Sequence, residues 1–285
     1  MTQDLAFILA SPVLTCLGKQ EYALNLNSRT KTHRGTNTKV MFGIHLPPEG
    51  ITFNRMREVC LAAVTEKIKL GPLVSCVWYR PPTVLGKIAT TVDLISNGRV
   101  IVGVGAGWHE GEFKAYFGRF PTVGERENAL EEAAQILRGM LRKKETTFRG
   151  ENYRVENLVN LPSPSRGSIP IMVGGGGEKR TLRVAAKYGD ISHFFANSTQ
   201  EVERKIGILN DHCRRNGRDP SEISLATGLT PTIEGVRFSA QPVEYIEACV
   251  KLGVSIFTLM FSRLGDAASE AQRRFAEEII PSFKT

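Results

Sequence analysis

Ile169-Pro-Ile-Met-Val-Gly-Gly-Gly-Gly-Glu-Lys-Arg180 decides how the chain is read. A short apolar run, Ile169 to Val173, ends in four glycines, and a helical pattern from Lys179 to Tyr188 follows. A strand that gives way to a helix across a glycine turn is half of a βαβ unit. Glycines adopt positive φ and let a ligand approach the main chain. The first N–H groups of the helix, at the positive end of its dipole, then face an anion. Lys179, Arg180 and Arg183 oppose that dipole, so three cations together need a reason, and a phosphate supplies one. Gly174, Gly175, Gly176 and Gly177, with Lys179 and Arg180, are therefore candidate phosphate-binding residues. A flexible turn with solvated charges is the alternative.

Outward from this block the same alternation repeats. Strands are expected over 40–46, 68–75, 100–104, 169–173, 191–195, 223–229 and 255–261. Helical patterns fall between them, over 52–63, from Pro81-Pro82 to Asn97-Gly98, and over 125–142, 179–188, 242–252 and 267–280. Another opens on a capping box at Ser198 to Glu201. Leu85, Ile88, Val92 and Ile95 mark an inward stripe on the first complete helix, and Leu130, Ala133, Leu137 and Met140 one on the next. Residues 146–168 read as an excursion, with a hairpin over 148–153. Strands separated by helices predict a parallel sheet with helices outside it. Seven such units point to a TIM (β/α)8-type barrel, which normally has eight. An open doubly wound sheet is the alternative.

Two further segments carry candidate site residues. Gly103-Val-Gly-Ala-Gly-Trp108 fails as a dinucleotide fingerprint, because Trp108 stands where the last glycine belongs. As a strand end it admits either a flat or phosphorylated ligand, at Gly105 and Gly107, or tight packing. Trp108 and His109 are candidate substrate-pocket residues. In Leu70-Gly-Pro-Leu-Val-Ser-Cys-Val-Trp78, glycine and proline inside an apolar run predict a bulge.

Composition narrows the class. The 285 residues are 41% apolar and 23% charged, with a net charge of +8 that is dispersed. Without a basic face or aromatic platforms, an anionic small ligand explains the charge better than nucleic acid. No apolar run approaches the ~18 residues of a membrane span. Five widely spaced cysteines without a CxxC pair predict neither zinc nor disulfides, and a cytoplasmic location. The apolar Leu5 to Leu14 segment lacks the basic flank of a signal peptide.

Together, LGPLVSCVWYRPP (70–82), KIATTVDLISNGRVIVGVGAGWHEGEF (87–113), GERENALEEAAQIL (124–137), FRGENYRV (148–155) and IPIMVGGGGEKRTLRVAAKYGD (169–190) resemble the bacterial luciferase-like superfamily of flavin- and F420-dependent oxidoreductases. FGIHLPPEG (42–50) is similar to that family's first strand, and GGGGEKR is most similar to its F420-using branch. The resemblance implies a barrel domain over 40–285, with a flavin-type ring at its mouth and Gly175 to Gly177 holding the cofactor phosphate through main-chain N–H groups. It implies a bulge at Leu73–Val74 behind the ring, often with a cis peptide. Ser75 and Cys76 would then lie beside the ring, where the family often has Asp or Asn in place of Cys76.

The chain departs from the pattern at one place. Cys60-Leu-Ala-Ala63 runs straight into Val64 to Gly71, so one βα unit is missing before the LGP strand. Its loss is expected to leave unpaired main-chain groups on both neighbouring strands. Residues 1–39 are unlike the family. They are read as an N-terminal extension, either disordered or with a strand in Leu5 to Leu14, which would precede the first strand of the barrel.

Three functions follow: hydride transfer between F420 and a small organic substrate, an FMN-dependent monooxygenase, or an inactive remnant with an unclosed barrel. His45, with Glu49 behind it, is the candidate acid/base pair. No metal, nucleic-acid or membrane partner is expected, and the resemblance makes a homodimer one assembly to test.

Overall fold

Apolar runs separated by helices become parallel strands, because a crossover of helix length brings the chain back to the same end of the sheet. The computed structural model describes residues 7–10, 40–46, 69–229, 233–234, 237–238, 242–260, 271 and 273–283. In chain order its strands are β1 (Phe7–Ala10), β2 (Met41–Leu46), β3 (Lys69–Gly71), β4 (Ser75–Cys76), β5 (Val102–Gly105), β6 (Thr146–Arg149), β7 (Arg154–Leu158), β8 (Ile171–Gly174), β9 (Ile191–Phe195), β10 (Ser224–Leu229), β11 (Ile233–Glu234), β12 (Arg237–Phe238) and β13 (Val254–Leu259). The helices are α1 (Pro82–Ile95), α2 (Glu110–Phe117), α3 (Val123–Met140), α4 (Thr181–Tyr188), α5 (Thr199–Arg215) and α6 (Pro242–Lys251). None among the described residues is long and apolar enough to cross a membrane. All seven expected strands are present, the second of them split into β3 and β4 around Pro72 to Val74. The helix expected over 52–63 lies outside the described residues.

The chain divides into two compact units, one of residues 72–193 and 205–223, the other of residues 1–71, 194–204 and 224–285. In the first, β9, β8, β5 and β4 lie side by side in that order, all parallel. Every residue of β5 is buried, as are Ile171 to Val173 of β8, which is why these strands read as unbroken small and apolar runs. A capping box starts α3: Thr122 Oγ1 accepts from the Glu125 amide at 3.2 Å, and Glu125 Oε2 from the Thr122 amide at 2.7 Å. Its expected stripe of Leu130, Ala133, Leu137 and Met140 is buried.

On α1 the expected stripe is reversed. Leu85 is buried, but Ile88, Val92 and Ile95 are exposed, and Gly86, Ala89, Thr90 and Asp93 face inward. The reason is close helix contact. A Cβ on Gly86 would lie 2.7 Å from Met140 Sδ and 3.2 Å from Leu137 Cδ2, so the bare backbone here lets these side chains of α3 pack closely. The buried polar groups are satisfied by the excursion after β7: Asn160 Nδ2 donates to Thr90 Oγ1 at 2.9 Å, and Ser165 donates to Asp93 Oδ2 through its amide (2.9 Å) and hydroxyl (2.7 Å).

The β6–β7 hairpin is held by one carboxylate. Glu132 on α3 accepts from the amides of Glu151, Asn152 and Tyr153, each at 2.9 Å. Glu132→Ala is expected to destabilise the protein by about 1.5–3 kcal/mol, the range for a hydrogen bond to a charged group. Hydrogen exchange checks it: those three amides should lose protection while the α3 amides keep theirs.

In the second unit the order is β3, β1, β2, β13, β10, again all parallel. Here an expectation is corrected. The strands flanking the missing βα unit do not face each other unpaired. β1 lies between them, with Phe7 to Ala10 opposite Gly43 to Leu46 of β2, and Phe7 to Leu9 opposite Lys69 to Gly71 of β3. β1 thus stands between the two strands expected to be left unpaired; the rest of 1–39 lies outside the described residues. Phe42 of β2 anchors an aromatic core, its ring 5.9 Å from Phe257, 5.6 Å from Phe275 and 5.7 Å from Phe283. Ala271, Phe275 and Ile279 face inward as expected, although the chain over Phe275–Ile279 is a π-helical turn.

Candidate functional site

The glycine turn after β8 is braced by its carbonyls. The Gly175 amide donates to the His193 carbonyl at 2.9 Å, and the Leu182 amide to the Gly177 carbonyl at 3.0 Å. Two side chains of α5 complete the brace: Lys205 Nζ donates to the Gly176 carbonyl at 3.1 Å, and His212 Nε2 meets the Glu178 carbonyl at 2.8 Å. In a trans peptide the C=O and the following N–H point in opposite directions. Holding the carbonyls of Gly176 and Glu178 toward α5 therefore turns the amides of Gly177 and Lys179 the other way. α4 opens at Thr181, two residues later than expected, and its N-cap, Arg180, provides no side-chain cap. Outward amides beside an uncapped helix start suit a phosphoryl group. Gly175 sits at φ +129°, and a Cβ on Gly177 would lie 2.5 Å from Thr181 Oγ1, so glycine is required at both positions.

A second set of glycines serves packing. The Leu73–Val74 peptide is cis. Val74 fills the space a side chain would need on Gly105 (2.5 Å from Val74 Cγ2) and on Gly174 (2.6 Å from Cγ1). Gly107, at φ +82°, leaves room for Cys76 Sγ and the Phe113 ring. So the bare ends of β5 and β8 accommodate the bulge between β3 and β4, the tight-packing alternative of the sequence reading. Burial pushes the Cys76 thiol pKa up, with main-chain bonds from Trp78 and Tyr79 opposing it. Ser75 is buried, with Arg80 Nη1 3.5 Å from its hydroxyl.

Of the three cations, two have protein partners on α3. Arg180 donates to Asn128 Oδ1 at 2.8 Å, and Arg183 pairs with Glu131 at 2.5 Å. A phosphate is therefore not needed to explain them; Lys179 is exposed. His109 caps α2, its Nδ1 accepting from the Glu112 amide at 3.1 Å. Trp108 is 82% exposed, edge-on to that imidazole. His45 lies on β2 opposite Leu9 of β1, and Glu49 lies outside the described residues.

The sequence reading missed four residues of the turn. Lys205 and His212 come from α5, a helix beyond the next strand, and nothing local marks them. Thr181 and Glu127 form a pair beneath Gly177, with Thr181 Oγ1 donating to Glu127 Oε1 at 2.6 Å. Burial raises the Glu127 pKa, against the lowering effects of the Thr181 bond and of Arg126, Arg180 and Arg183.

Known proteins are similar to this chain over much of its length. The pyrimidine monooxygenase RutA of Allorhizobium ampelinum is 28% identical over 185 residues, covering 63% of this chain and 50% of that protein. An FMNH2-dependent dimethylsulfone monooxygenase of Pseudomonas fluorescens is 28% identical over 176 residues, covering 61% of this chain and 46% of that one. The chain thus spans about half the length of these curated relatives. A solved F420-dependent secondary alcohol dehydrogenase, in complex with an F420–acetone adduct, superimposes with a TM-score of 0.72 over 100% of both chains at 16% identity. That likeness shows the fold alone, an α/β fold of the TIM (β/α)8 type, here with one βα unit missing from its usual place. Residues 59–241, well over half of the sequence, match the luciferase-like monooxygenase family, and the chain belongs to that family.

Proposed function

We propose that the chain is an oxidoreductase that moves a hydride between coenzyme F420 and a small organic substrate. The observation that carries this reading is the brace on the glycine turn, which leaves the Gly177 and Lys179 amides directed away from Lys205 and His212. Gly175, Gly176, Gly177 and Lys179 would hold the cofactor's phosphoryl group, and F420, when bound, supplies the hydride-carrying carbon. Leu73 and Val74 would back the ring, with Ser75 and Cys76 at its side. Gly105, Gly107 and Gly174 serve the cofactor indirectly, by seating the bulge. His45, assisted by Glu49, is assigned the proton transfer at the substrate, and Trp108 and His109 the pocket wall. The solved F420-dependent dehydrogenase of the same fold supports the choice of cofactor.

A second reading is an FMN-dependent monooxygenase, favoured by the FMNH2-dependent relative. The same phosphate turn would serve it. The exposed Ile88, Val92 and Ile95 face of α1 supports a homodimer under either reading.

Fluorescence titration with F420 and with FMN separates the two. Saturable F420 binding is expected; tight FMN binding without F420 binding transfers the assignment to the monooxygenase, and binding of neither overturns both. Lys205→Met, which frees the Gly176 carbonyl to rotate, is expected to weaken binding of the cofactor about tenfold or more, the worth of one charge-assisted hydrogen bond.

A further inference from the structure

Glu127 is an acid group placed where an anion is to bind. Its Oε1 takes the Thr181 hydroxyl at 2.6 Å, and a Cβ on Gly177 would lie 3.5 Å from the same oxygen. The carboxyl group therefore lies against the backbone of the residue whose amide faces outward. Its Oε2 is buried without a hydrogen-bond partner. A half-buried carboxylate whose enclosed oxygen is unsatisfied is unfavourable in its ionised form.

The charges around it do not neutralise it by contact. On its own helix, Arg126 donates to the carbonyls of Pro121 and Gly107, and Glu131 is taken by Arg183 and Lys187. From α4, Arg180 is bonded to Asn128 and Gly124. Glu178 and Lys179 lie in the turn itself, and from α5 Lys205 and His212 hold carbonyls of that turn. The three arginines favour the carboxylate through space, but burial outweighs them.

We propose that Glu127 gates the phosphate turn: the cofactor's phosphoryl group docks when Glu127 carries a proton, so that binding takes one up. The inference rests on the phosphate-binding reading above. With Glu127 ionised, a second anion at the Gly177 amide is repelled, and the Thr181 hydroxyl donates to the carboxylate. With Glu127 protonated, the repulsion is gone. The carboxyl O–H can donate to Thr181 Oγ1, which leaves the threonine proton for a phosphoryl oxygen. Affinity is then highest below the pKa of Glu127 in the free protein and falls as pH rises through it.

Calorimetric titration of the full chain with F420, in two buffers of different ionisation enthalpy, tests this. As pH is raised through the Glu127 pKa, the wild type is expected to take up a sizeable fraction of a proton per cofactor bound. Glu127→Gln, neutral and still able to donate to Thr181, should take up none. It should bind about tenfold more tightly than wild type at pH values above the Glu127 pKa and equally below it, as expected for removal of one nearby like charge. FMN serves as a second probe, because the titration of its own phosphate is common to both proteins and cancels in the comparison. Cofactor binding with identical proton uptake in wild type and Glu127→Gln overturns the gate and leaves the phosphate site standing. Absence of binding at every pH overturns both.

Discussion

Gly103→Ala is expected to unfold the unit that carries the glycine turn. A Cβ at this position would overlap the Pro72 carbonyl oxygen, and the Pro72 carbonyl carbon and Val74 Cγ1 lie close behind it. All but one of these atoms are backbone. Val102 and Val104 on either side are buried, so β5 cannot shift away. Overpacking against backbone belongs with the few substitutions that cost more than about 4 kcal/mol, against a total stability of ~5–15 kcal/mol. Urea unfolding followed by tryptophan fluorescence should show no folded baseline. Gly207→Ala is the control: nothing lies within 4 Å of its added Cβ, it is exposed within α5, and it should gain up to about 1 kcal/mol. A Gly103→Ala protein that melts within a few degrees of wild type would refute the seating of the bulge.

Ile8→Pro should be nearly as severe for the other unit. β1 has a parallel neighbour on each side, so a proline at its centre removes an amide and distorts the backbone between two ladders. The expected loss is about 3 kcal/mol or more. The amides of Gly43 to Leu46 and of Lys69 to Gly71 should lose protection together in hydrogen exchange. Unchanged protection there would mean that β1 does not bridge β2 and β3. The outcome also bears on activity, because the inactive-remnant reading requires that gap to be open.

Much of this was legible in the chain. The apolar runs of β5 and β8 declare strands buried on both faces. Leu130, Ala133, Leu137 and Met140 announce the buried face of α3, and the odd Gly-Pro in 70–74 announces a bulge. The glycine turn was visible as four glycines ahead of a helix. The protein partners of its arginines were not, because Asn128 and Glu131 lie far from Arg180 and Arg183 in sequence and their contacts leave no periodic trace.

Local pattern by itself determined the order of strands and helices, since alternation and capping depend on neighbours a few residues away. Only the tertiary structure decided which face of α1 is buried. Gly86 and Ala89 admit the close approach of α3, and that steric fit outweighs the burial its Ile88, Val92 and Ile95 would have gained. The folded structure alone also put an N-terminal strand between β2 and β3, and aimed the Gly177 and Lys179 amides through Lys205 and His212. Both depend on groups meeting across long separations in the chain, and such encounters are governed by packing geometry, which periodicity does not encode.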